Sequence, residues 1–485
     1  MLVNSLTVFL DSLVYAAVYP LSILFFIFGV DDLLISFFLW WNDLKPARLS
    51  REEFLYINEQ NEKRIGILVA AWHEAGVLSK MVRGNLSLIH YENYDFYLGV
   101  YPNDPQTLQE ALQLQAEFSH VYVVINPRPG PTTKGQMLNE LVKSILENES
   151  SLGKKYDGFL IHDSEDLIHT HSLKIMNWLL NDYDFVQVPV FSLPVKYRNL
   201  VAGTYIDEFA ETHTRDLLVR SFLELPIPSA GVGTAFSRRL IQSYLSDQGG
   251  CLLNSNTVTE DYELGLSAGK HGLKSKFACY YMKNTSQSSH GKPEFIATRE
   301  YFPKYWNRSV RQKTRWVLGV ALQGWENLGW SGGLSNRYFL YRDRKGPLCN
   351  LVGGLGLGLF LISLIRASQS PIFFSGFSRS GIIISLLGAN FAIMIHRIYV
   401  RFRSVHFIYG IRIALLSPLR FPISSAINAM ASANAVFQYL MGRTLKRTIQ
   451  WVKTEHEIPD DFSLGIRSEF KQESKVQINN KSNTK

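Results

Sequence analysis

Several groups of polar residues in this 485-residue sequence have the types and spacing needed for chemistry on a charged substrate. The most acidic is Asp163-Ser164-Glu165-Asp166, where three carboxylates follow a short apolar run. Such crowding is unfavourable unless a cation neutralises it. Mg²⁺ or Mn²⁺ holding a diphosphate is the partner that carboxylate oxygens favour. A solvated acidic turn is the alternative, and these residues alone leave both interpretations open.

Three further charged residues also follow apolar runs. Glu74 and Asp104 could each accept a hydrogen bond from a ribose hydroxyl or a base, although a helix cap is the commoner role for either one. Lys134 opens a helical pattern after a loop rich in Pro and Gly. A lysine beside the free N–H groups of a helix start suits a phosphate, and a solvated lysine is the alternative.

The segment Thr259-Glu260-Asp261 places two carboxylates directly before a helical pattern. One of them could serve as a general base that accepts a proton from a substrate hydroxyl. The same arrangement is typical of a helix N-cap, so the segment alone does not choose between catalysis and capping.

A second motif, Gln312-Lys313-Thr314-Arg315-Trp316, lies on a predicted helix. Gln312, Arg315 and Trp316 stand at i, i+3 and i+4 and therefore share one helical face. An amide, a guanidinium and an indole on one face could bind a diphosphate and stack on a sugar ring. A single Arg-Trp pair is more often packing.

The elements that must position these residues alternate between strand and helix patterns. Short apolar runs predict strands at residues 65–71, 96–101, 121–125 and 156–161, and helical patterns begin near Glu74 and cover 106–117 and 134–146. This alternation predicts a doubly wound parallel sheet. Ligands of such sheets bind beyond the carboxyl ends of the strands, where the polar residues above are expected to meet.

Composition narrows the class of protein. Hydrophobic residues make up 46% and charged residues 19% of the chain, which excludes a disordered chain or a repetitive fibre. The net charge of +8 is small and spread out, so a membrane is a better expectation than nucleic acid. Three widely spaced cysteines form neither a disulfide framework nor a CxxC zinc site, which indicates a reducing compartment.

Three apolar stretches, at residues 13–30, 348–365 and 381–400, are long enough to cross a bilayer. Lys45, Arg48 and Arg51 follow the first stretch, and a denser basic cluster at 396–403 follows the third. By the positive-inside rule both clusters are cytoplasmic. Residues 408–440 mix polar and apolar side chains and predict helices that lie in the membrane interface instead of a fourth span.

In order and spacing, Asp104, Lys134, Asp163-x-Glu165, the Thr-Glu-Asp segment and the Gln-x-x-Arg-Trp segment resemble a family 2 glycosyltransferase. The resemblance is to the processive, synthase-like members, such as cellulose, chitin and hyaluronan synthases. Segments such as 297–301, 321–325 and 451–456 are closer to the bacterial phage-adsorption protein B-like membrane transferases.

This resemblance implies a role for each motif residue. Glu74 and Asp104 would hold the nucleoside, and Lys134 and Arg315 would contact the diphosphate. Asp261 would be the general base, with Glu260 beside it. Trp316 would stack on the acceptor sugar, and Gln312, on the same helical face, belongs to the same acceptor- and diphosphate-binding group. The donor-binding set is Glu74, Asp104, Lys134 and Asp163, and the metal set is Asp163, Glu165 and Asp166. The usual Asp-x-Asp is Asp163-Ser164-Glu165 here, so the choice of metal-binding oxygens stays open.

The implied architecture is an α/β, doubly wound GT-A-type nucleotide-sugar-binding domain flanked by transmembrane and interfacial helices. Its expected divisions are an N-terminal transmembrane helix (1–44), a cytoplasmic transferase domain (45–345), transmembrane and interfacial helices (346–445) and a cytoplasmic polar tail (446–485). The expected location is a bacterial inner membrane.

The implied activity is metal-dependent, inverting transfer of a sugar from a nucleotide donor, a UDP-sugar, onto a growing polysaccharide. The expected cofactor is Mg²⁺ or Mn²⁺, and the expected partners are the nucleotide sugar, a glycan or lipid-linked acceptor, membrane lipid and an envelope protein, with no nucleic acid. Two alternatives stay open, a non-processive transferase that acts on a lipid-linked acceptor and a catalytically weak membrane scaffold or receptor component.

Overall fold

The structure is a computed structural model that describes residues 2–247, 251–255, 257–283, 293–369 and 380–445. The predicted tail at 446–485, including segment 451–456, lies outside the described residues. The transferase half begins after one long helix and contains a large mixed sheet with helices on both faces.

The strands of the transferase half are short and mostly buried. They are β1 (Ala47–Arg48), β2 (Ile65–Ala70), β3 (Tyr94–Val100), β4 (Val121–Ile125), β5 (Gly158–His162), β6 (Phe185–Gln187), β7 (Val190–Ser192), β8 (Thr234–Ser237), β9 (Ser275–Phe277), β10 (Tyr280–Lys283), β11 (Pro293–Phe295) and β12 (Thr298–Glu300). The four predicted strands correspond to β2, β3, β4 and β5.

The helices are of two kinds, shorter ones within the transferase half and longer apolar ones outside it. They are α1 (Leu2–Trp41), α2 (Arg51–Asn58), α3 (Leu78–Leu86), α4 (Pro105–Glu117), α5 (Lys134–Leu152), α6 (Ser172–Leu179), α7 (Leu200–Thr214), α8 (Asp216–Phe222), α9 (Arg238–Asp247), α10 (Glu260–Ser267), α11 (Trp306–Val317), α12 (Gly324–Leu328), α13 (Leu334–Arg344), α14 (Gly346–Gln369), α15 (Gly381–Tyr409), α16 (Ile411–Ala414) and α17 (Ser417–Leu445). A 3₁₀ turn covers Ala268–His271 and a π-helical segment covers Leu318–Gln323.

The main sheet has seven strands in the order β4-β3-β2-β5-β8-β6-β9. Strands β4, β3, β2 and β5 are parallel, as predicted, whereas β8 runs antiparallel to both β5 and β6. Buried Met81 and Leu114 belong to the core on one face, and Leu141 and Tyr244 belong to the core on the other. Helices therefore cover both faces, which confirms the doubly wound fold.

Two predicted helix boundaries are wrong: helix α5 continues to Leu152 instead of ending at 146, and the start of α3 was placed too early. Helix α3 begins at Leu78 and not near Glu74. His73 and Gly76 both have positive φ, 56° and 81°, which an α-helix cannot accommodate. The segment between β2 and α3 is therefore a loop, and this loop carries Glu74 to the edge of the sheet.

Among the residues that the structure describes, three helices are long and apolar enough to cross a membrane, namely residues 9–41 of α1, α14 and α15. The first two extend the predicted stretches at both ends, and α15 extends the third at its C-terminal end only. In α1, Asp11 pairs with Arg366 of α14, with 2.7 Å between Oδ1 and Nε. Twenty residues later, Asp31 pairs with Arg342 and with Lys345, the residue before α14. Twenty helical residues rise about 30 Å, the thickness of a hydrocarbon core.

The segment predicted to lie in the interface forms one long helix, α17, after the short α16. Arg420, near its start, bonds to Asp207, with 2.8 Å between Nε and Oδ2. Near its end, Tyr439 donates to Glu326 at 2.5 Å, and Arg443 pairs with the same carboxylate at 2.6 Å. Both ends of α17 therefore contact the transferase half, and α17 also packs extensively against α14.

Candidate active site

A cavity of about 150 Å³ opens at the carboxyl ends of the parallel strands. The loops after β2 and β5, the start of α5 and the Thr-Glu-Asp and Gln-x-x-Arg-Trp segments all line it. From the predicted set, the lining residues are Glu74, Lys134, Asp163, Glu165, Glu260, Asp261, Gln312, Arg315 and Trp316. Asp104 and Asp166 are the two predicted site residues that do not line this cavity.

The acidic turn after β5 divides its carboxylates between two environments. Asp163 and Glu165 line the cavity. Asp166 is fully buried beneath them, where it bonds to His162 Nδ1 at 2.7 Å and accepts the N–H of Asp163 at 2.9 Å. Burial raises the pKa of Asp166, and hydrogen bonding to His162 opposes that rise. The structure therefore gives Asp166 the geometry of a residue that shapes the turn.

Lys134 connects the acidic turn to the Thr-Glu-Asp segment. It is the first residue of α5, whose N-cap is the Thr133 side chain. Its Nζ forms an ion pair with Asp163 and donates to the carbonyl of Gly231 at 2.9 Å. Burial would lower the pKa of Lys134, but the Asp163 and Asp261 carboxylates raise it above its ordinary value. A positive charge therefore lines the cavity between two groups of carboxylates.

The Thr-Glu-Asp segment begins α10, so both carboxylates lie at a helix start. Asp261 accepts the N–H of Tyr262 at 2.8 Å and lies against Gly231, where a Cβ would come within 2.3 Å of Asp261 Oδ2. Burial, and then the neighbouring Asp261, raise the pKa of Glu260 to about 7. Burial also raises the pKa of Asp261, opposed by Lys134. A raised carboxyl pKa suits a group that accepts a proton.

Helix α11 presents the Gln-x-x-Arg-Trp face to the same cavity. Trp316 makes edge contacts with the rings of Tyr205 and Phe209, at centroid distances of 5.9 and 6.0 Å. Within the described part of the chain, the buried Oε1 of Gln312 has no hydrogen-bond partner. An unsatisfied amide oxygen at a cavity wall is a ready acceptor for a ligand hydroxyl.

The π-helical segment after α11 fixes the two motifs relative to each other. Gly319 packs so closely on the Thr-Glu-Asp turn that a Cβ would lie 2.2 Å from Thr259 Oγ1. Gln323 Oε1 accepts the N–H of Val258 at 3.0 Å and a hydrogen bond from Thr257 Oγ1 at 3.2 Å. π-Helical turns frequently occur at functional sites. Here the irregular turn is in direct contact with the segment that contains the proposed base.

At the opposite side, Glu74 is 4% exposed at the cavity edge, beside Trp72. Asp104 is 3% exposed, and its carboxylate accepts two backbone hydrogen bonds, from the N–H of His73 at 2.7 Å and from that of Thr107 at 3.4 Å. It is thus the N-cap of α4, the alternative role considered from the sequence.

Glu300 is a cavity residue that belongs to segment 297–301 but had no role predicted from the sequence. It ends β12, which lies beside β7 in a separate two-stranded sheet. Burial, and then the carboxylates of Asp166, Glu165 and Asp163, raise the pKa of Glu300 well above its ordinary value. The available signal was a carboxylate at the end of a short strand, but that strand is too short to predict from its pattern.

The carboxylates of the cavity suit a hard divalent cation. Asp163 and Glu165 offer carboxylate oxygens to the cavity, and their two negative charges exceed the single positive charge of Lys134. Over the described ranges, no three His, Cys, Asp or Glu side chains are arranged to hold a metal ion by themselves. The residues present therefore fit a cation whose remaining ligands come from a bound phosphate.

Comparison with known proteins identifies the class. A family model described as "Glycosyltransferase like family 2" matches residues 63–319, which include every cavity motif. The chain belongs to this family and has its GT-A-like α/β fold, which confirms the resemblance in the sequence.

Among individual relatives, bacteriophage adsorption protein B of Escherichia coli strain K12 is 34% identical over 458 residues. The match covers 90% of this chain and 61% of that protein. Bacteriophage N4 adsorption protein B of Escherichia coli O157:H7 matches with the same values. This chain therefore spans about three fifths of the length of these curated relatives.

Solved structures resemble the chain more distantly. The mannosyltransferase PcManGT from Pyrobaculum calidifontis, in complex with GDP-Man and Mn²⁺, has a TM-score of 0.46 and 12% identity, and the match covers 88% of this chain and 98% of that one. TarS (1–349) of S. aureus with UDP-GlcNAc has a TM-score of 0.33 and 11% identity, covering 78% of this chain and 92% of that one. Similarity at this level does not identify a donor or a metal for this chain.

Proposed function

We propose that this chain is an inverting, membrane-bound glycosyltransferase that moves a sugar from a nucleotide donor, a UDP-sugar, onto a growing polysaccharide. The observation that carries the proposal is the convergence of Lys134, Asp163, Asp261 and Arg315 on one cavity at the carboxyl edge of the sheet. Positive groups for a diphosphate and a carboxylate for an acceptor hydroxyl are thereby placed together.

In the proposed reaction, the acceptor hydroxyl attacks the anomeric carbon while Asp261 takes its proton. Attack on the face opposite the leaving nucleoside diphosphate inverts the anomeric carbon. Lys134 and Arg315 stabilise the negative charge that develops on the diphosphate, and Trp316 offers its ring to the acceptor sugar. Glu260 lies beside Asp261 and is buried, so the proposed proton acceptor has a second carboxyl group as its neighbour.

Asp163 and Glu165 are the proposed ligands of a Mg²⁺ or Mn²⁺ ion, and Asp166 supports them from below. When bound, such an ion supplies Lewis-acid stabilisation of the departing diphosphate. Glu74 is the proposed nucleoside ligand at the cavity edge. Asp104, already bonded to two backbone N–H groups, contributes by holding the loop that follows β2.

The proposed location is a bacterial inner membrane, with the transferase domain (45–345) and the tail (446–485) in the cytoplasm. The remaining divisions are the helix at 1–44 and the transmembrane and interfacial helices at 346–445. Three helices of spanning length beside the cavity-bearing half support this division. A glycan acceptor, membrane lipid and an envelope partner are the proposed partners.

A donor screen tests the proposal. Purified full-length protein in nanodiscs is incubated with UDP- and GDP-sugars, with and without Mn²⁺, and released nucleoside diphosphate is measured. We expect release from a UDP-sugar that depends on the metal and is abolished in Asp163→Ala. Full activity of that variant in EDTA would contradict the metal assignment, and no release from any donor would favour a scaffold. The length of the product separates a processive enzyme from transfer to a lipid-linked acceptor.

A further inference from the structure

Lys313 lies inside the Gln-x-x-Arg-Trp motif but does not line the cavity. It is 3% exposed and points towards α7 and α17. Its Nζ contacts Glu208 Oε1 at 2.8 Å, Glu208 Oε2 at 2.6 Å and Asn428 Oδ1 at 2.9 Å. The face of α11 that carries Gln312, Arg315 and Trp316 thus lines the cavity, and the neighbouring Lys313 is held by an ion pair to α7.

Glu208, on α7, is the centre of this second contact. Besides Lys313, its Oε1 accepts hydrogen bonds from Ser424 Oγ at 2.5 Å and from Asn428 Nδ2 at 3.0 Å. Burial would raise the pKa of Glu208, but the nearby cations Lys313 and Arg401 lower it below its ordinary value. One ionised carboxylate therefore joins α7, α11 and α17.

We propose that Glu208 is a positioning residue for sugar transfer, which fixes the rotation of α11 through Lys313. A helix turns 100° per residue, so the direction of Lys313 sets the directions of Arg315 and Trp316 on the same rigid element. The inference rests on the proposed function, because it concerns the same site. Helix α17 would also help to position the site, since its residues Ser424 and Asn428 donate hydrogen bonds to Glu208.

The adjacent residue on α7 provides a matched control. Asp207 is fully buried and bonds to Arg420 Nε at 2.8 Å, to Arg420 Nη2 at 2.5 Å and to Ser417 Oγ at 2.8 Å. These contacts join α7 to α17, as those of Glu208 do, but they do not reach α11. Loss of the Asp207 ion pair should therefore reproduce the damage to packing while keeping the hydrogen bonds of Lys313, on which Asp207 acts only through its charge.

The experiment compares Glu208→Gln with Asp207→Asn in the full chain in nanodiscs. UDP and GDP are titrated in the presence of Mn²⁺, and the nucleotide that binds wild type more tightly is then used for every variant. We expect Glu208→Gln to weaken nucleotide binding about 5- to 50-fold, within the range of coupling between neighbouring groups. Backbone hydrogen exchange over residues 306–317 should quicken. Asp207→Asn should lower the melting temperature but leave the nucleotide affinity within about twofold.

A double-mutant cycle supplies the decisive readout. If Glu208 acts by placing Arg315, Glu208→Gln should weaken nucleotide binding little further in an Arg315→Ala background. Independent effects would multiply, and that result would overturn the inference. Equal losses of affinity in Glu208→Gln and Asp207→Asn would do the same, because both variants would then act through packing alone.

These failures are distinguishable from failure of the proposed function. Wild-type protein that binds neither UDP nor GDP and releases neither from any sugar donor would overturn the function, and the inference with it. Wild type that binds and reacts normally, combined with an additive cycle, would leave the function intact and remove only the role of Glu208.

Discussion

Asp261 is the residue on which the proposed chemistry depends most. In the wild type, Asp261 Oδ1 accepts the N–H of Tyr262 at 2.8 Å. Asp261→Asn keeps an oxygen that can accept this hydrogen bond but removes the carboxylate that would accept the proton. We expect the transfer rate to fall by about 10² to 10⁴ while donor affinity changes less than about twofold. Transfer is measured by product formation and affinity by calorimetry with the donor identified in the screen.

Arg315→Ala is the contrasting variant, because it removes a proposed contact to the diphosphate. Donor affinity should fall in this variant together with the rate. If Asp261→Asn lost donor affinity as severely as Arg315→Ala, Asp261 would be a donor ligand or a structural cap. The proposed mechanism would then lack its base.

At this scale the sequence predicted much of the cavity. Residues that follow strands, such as Asp163 and Lys134, converge because parallel strands end at one edge of a sheet. Spacing could not separate Asp163 from Asp166, because the burial of Asp166 depends on its contact with His162. Glu300 lies far along the chain, at the end of a strand whose partner is β7, and only the tertiary fold brings it to the cavity.

At the scale of elements, the contact between the π-helical segment and the Thr-Glu-Asp turn makes a sharp prediction. Gly319→Ala would place its Cβ 2.2 Å from Thr259 Oγ1 and 2.4 Å from its Cγ2. The turn must move, so we expect a loss of stability of about 1–3 kcal/mol. We also expect a tenfold or larger loss of transfer, measured with thermal unfolding alongside.

Gly358→Ala is the matched control, since Gly358 is also helical and its added Cβ would meet no atom within 4 Å. That variant should keep both the stability and the transfer rate. Wild-type transfer in Gly319→Ala would show that the turn tolerates displacement and that the two motifs are not held in register by this contact.

Element prediction succeeded where the pattern was regular. The strand at 121–125 agrees with β4 at both ends, because five consecutive apolar residues between turns leave few alternatives. The antiparallel β8 was not predicted, because its four residues lack a recognisable period. The start of α3 was placed too early, because positive φ at His73 depends on the hydrogen bond from its N–H to Asp104 and not on local propensity.

At the scale of the whole molecule, the orientation in the membrane can be tested with a native cysteine. Cys251 is exposed on the transferase half, whereas Cys279 is buried. A membrane-impermeant maleimide added to intact cells should leave Cys251 unlabelled, and it should label Cys251 after permeabilisation. The expectation follows from the basic residues after the first and third spans.

Two variants control this experiment. Cys251→Ser should abolish the labelling seen after permeabilisation. Gly381→Cys, at the start of α15 on the opposite side of the membrane in the proposed topology, should be labelled in intact cells. Labelling of Cys251 from outside would show the opposite orientation. The transferase cavity would then lie in a compartment that a cytoplasmic nucleotide sugar does not reach.

Two ion pairs to α1, one near each end of α14, also bear on how the protein would respond to bilayer thickness. Asp11 with Arg366, and Asp31 with Lys345, prevent these helices from sliding past each other. Two helices that cannot slide past each other adapt to a thinner bilayer by tilting together. In the proposed topology that tilt would reach the transferase half through helix α13, which directly precedes α14. The length of the surrounding lipid chains would therefore set the angle at which the cavity faces the membrane.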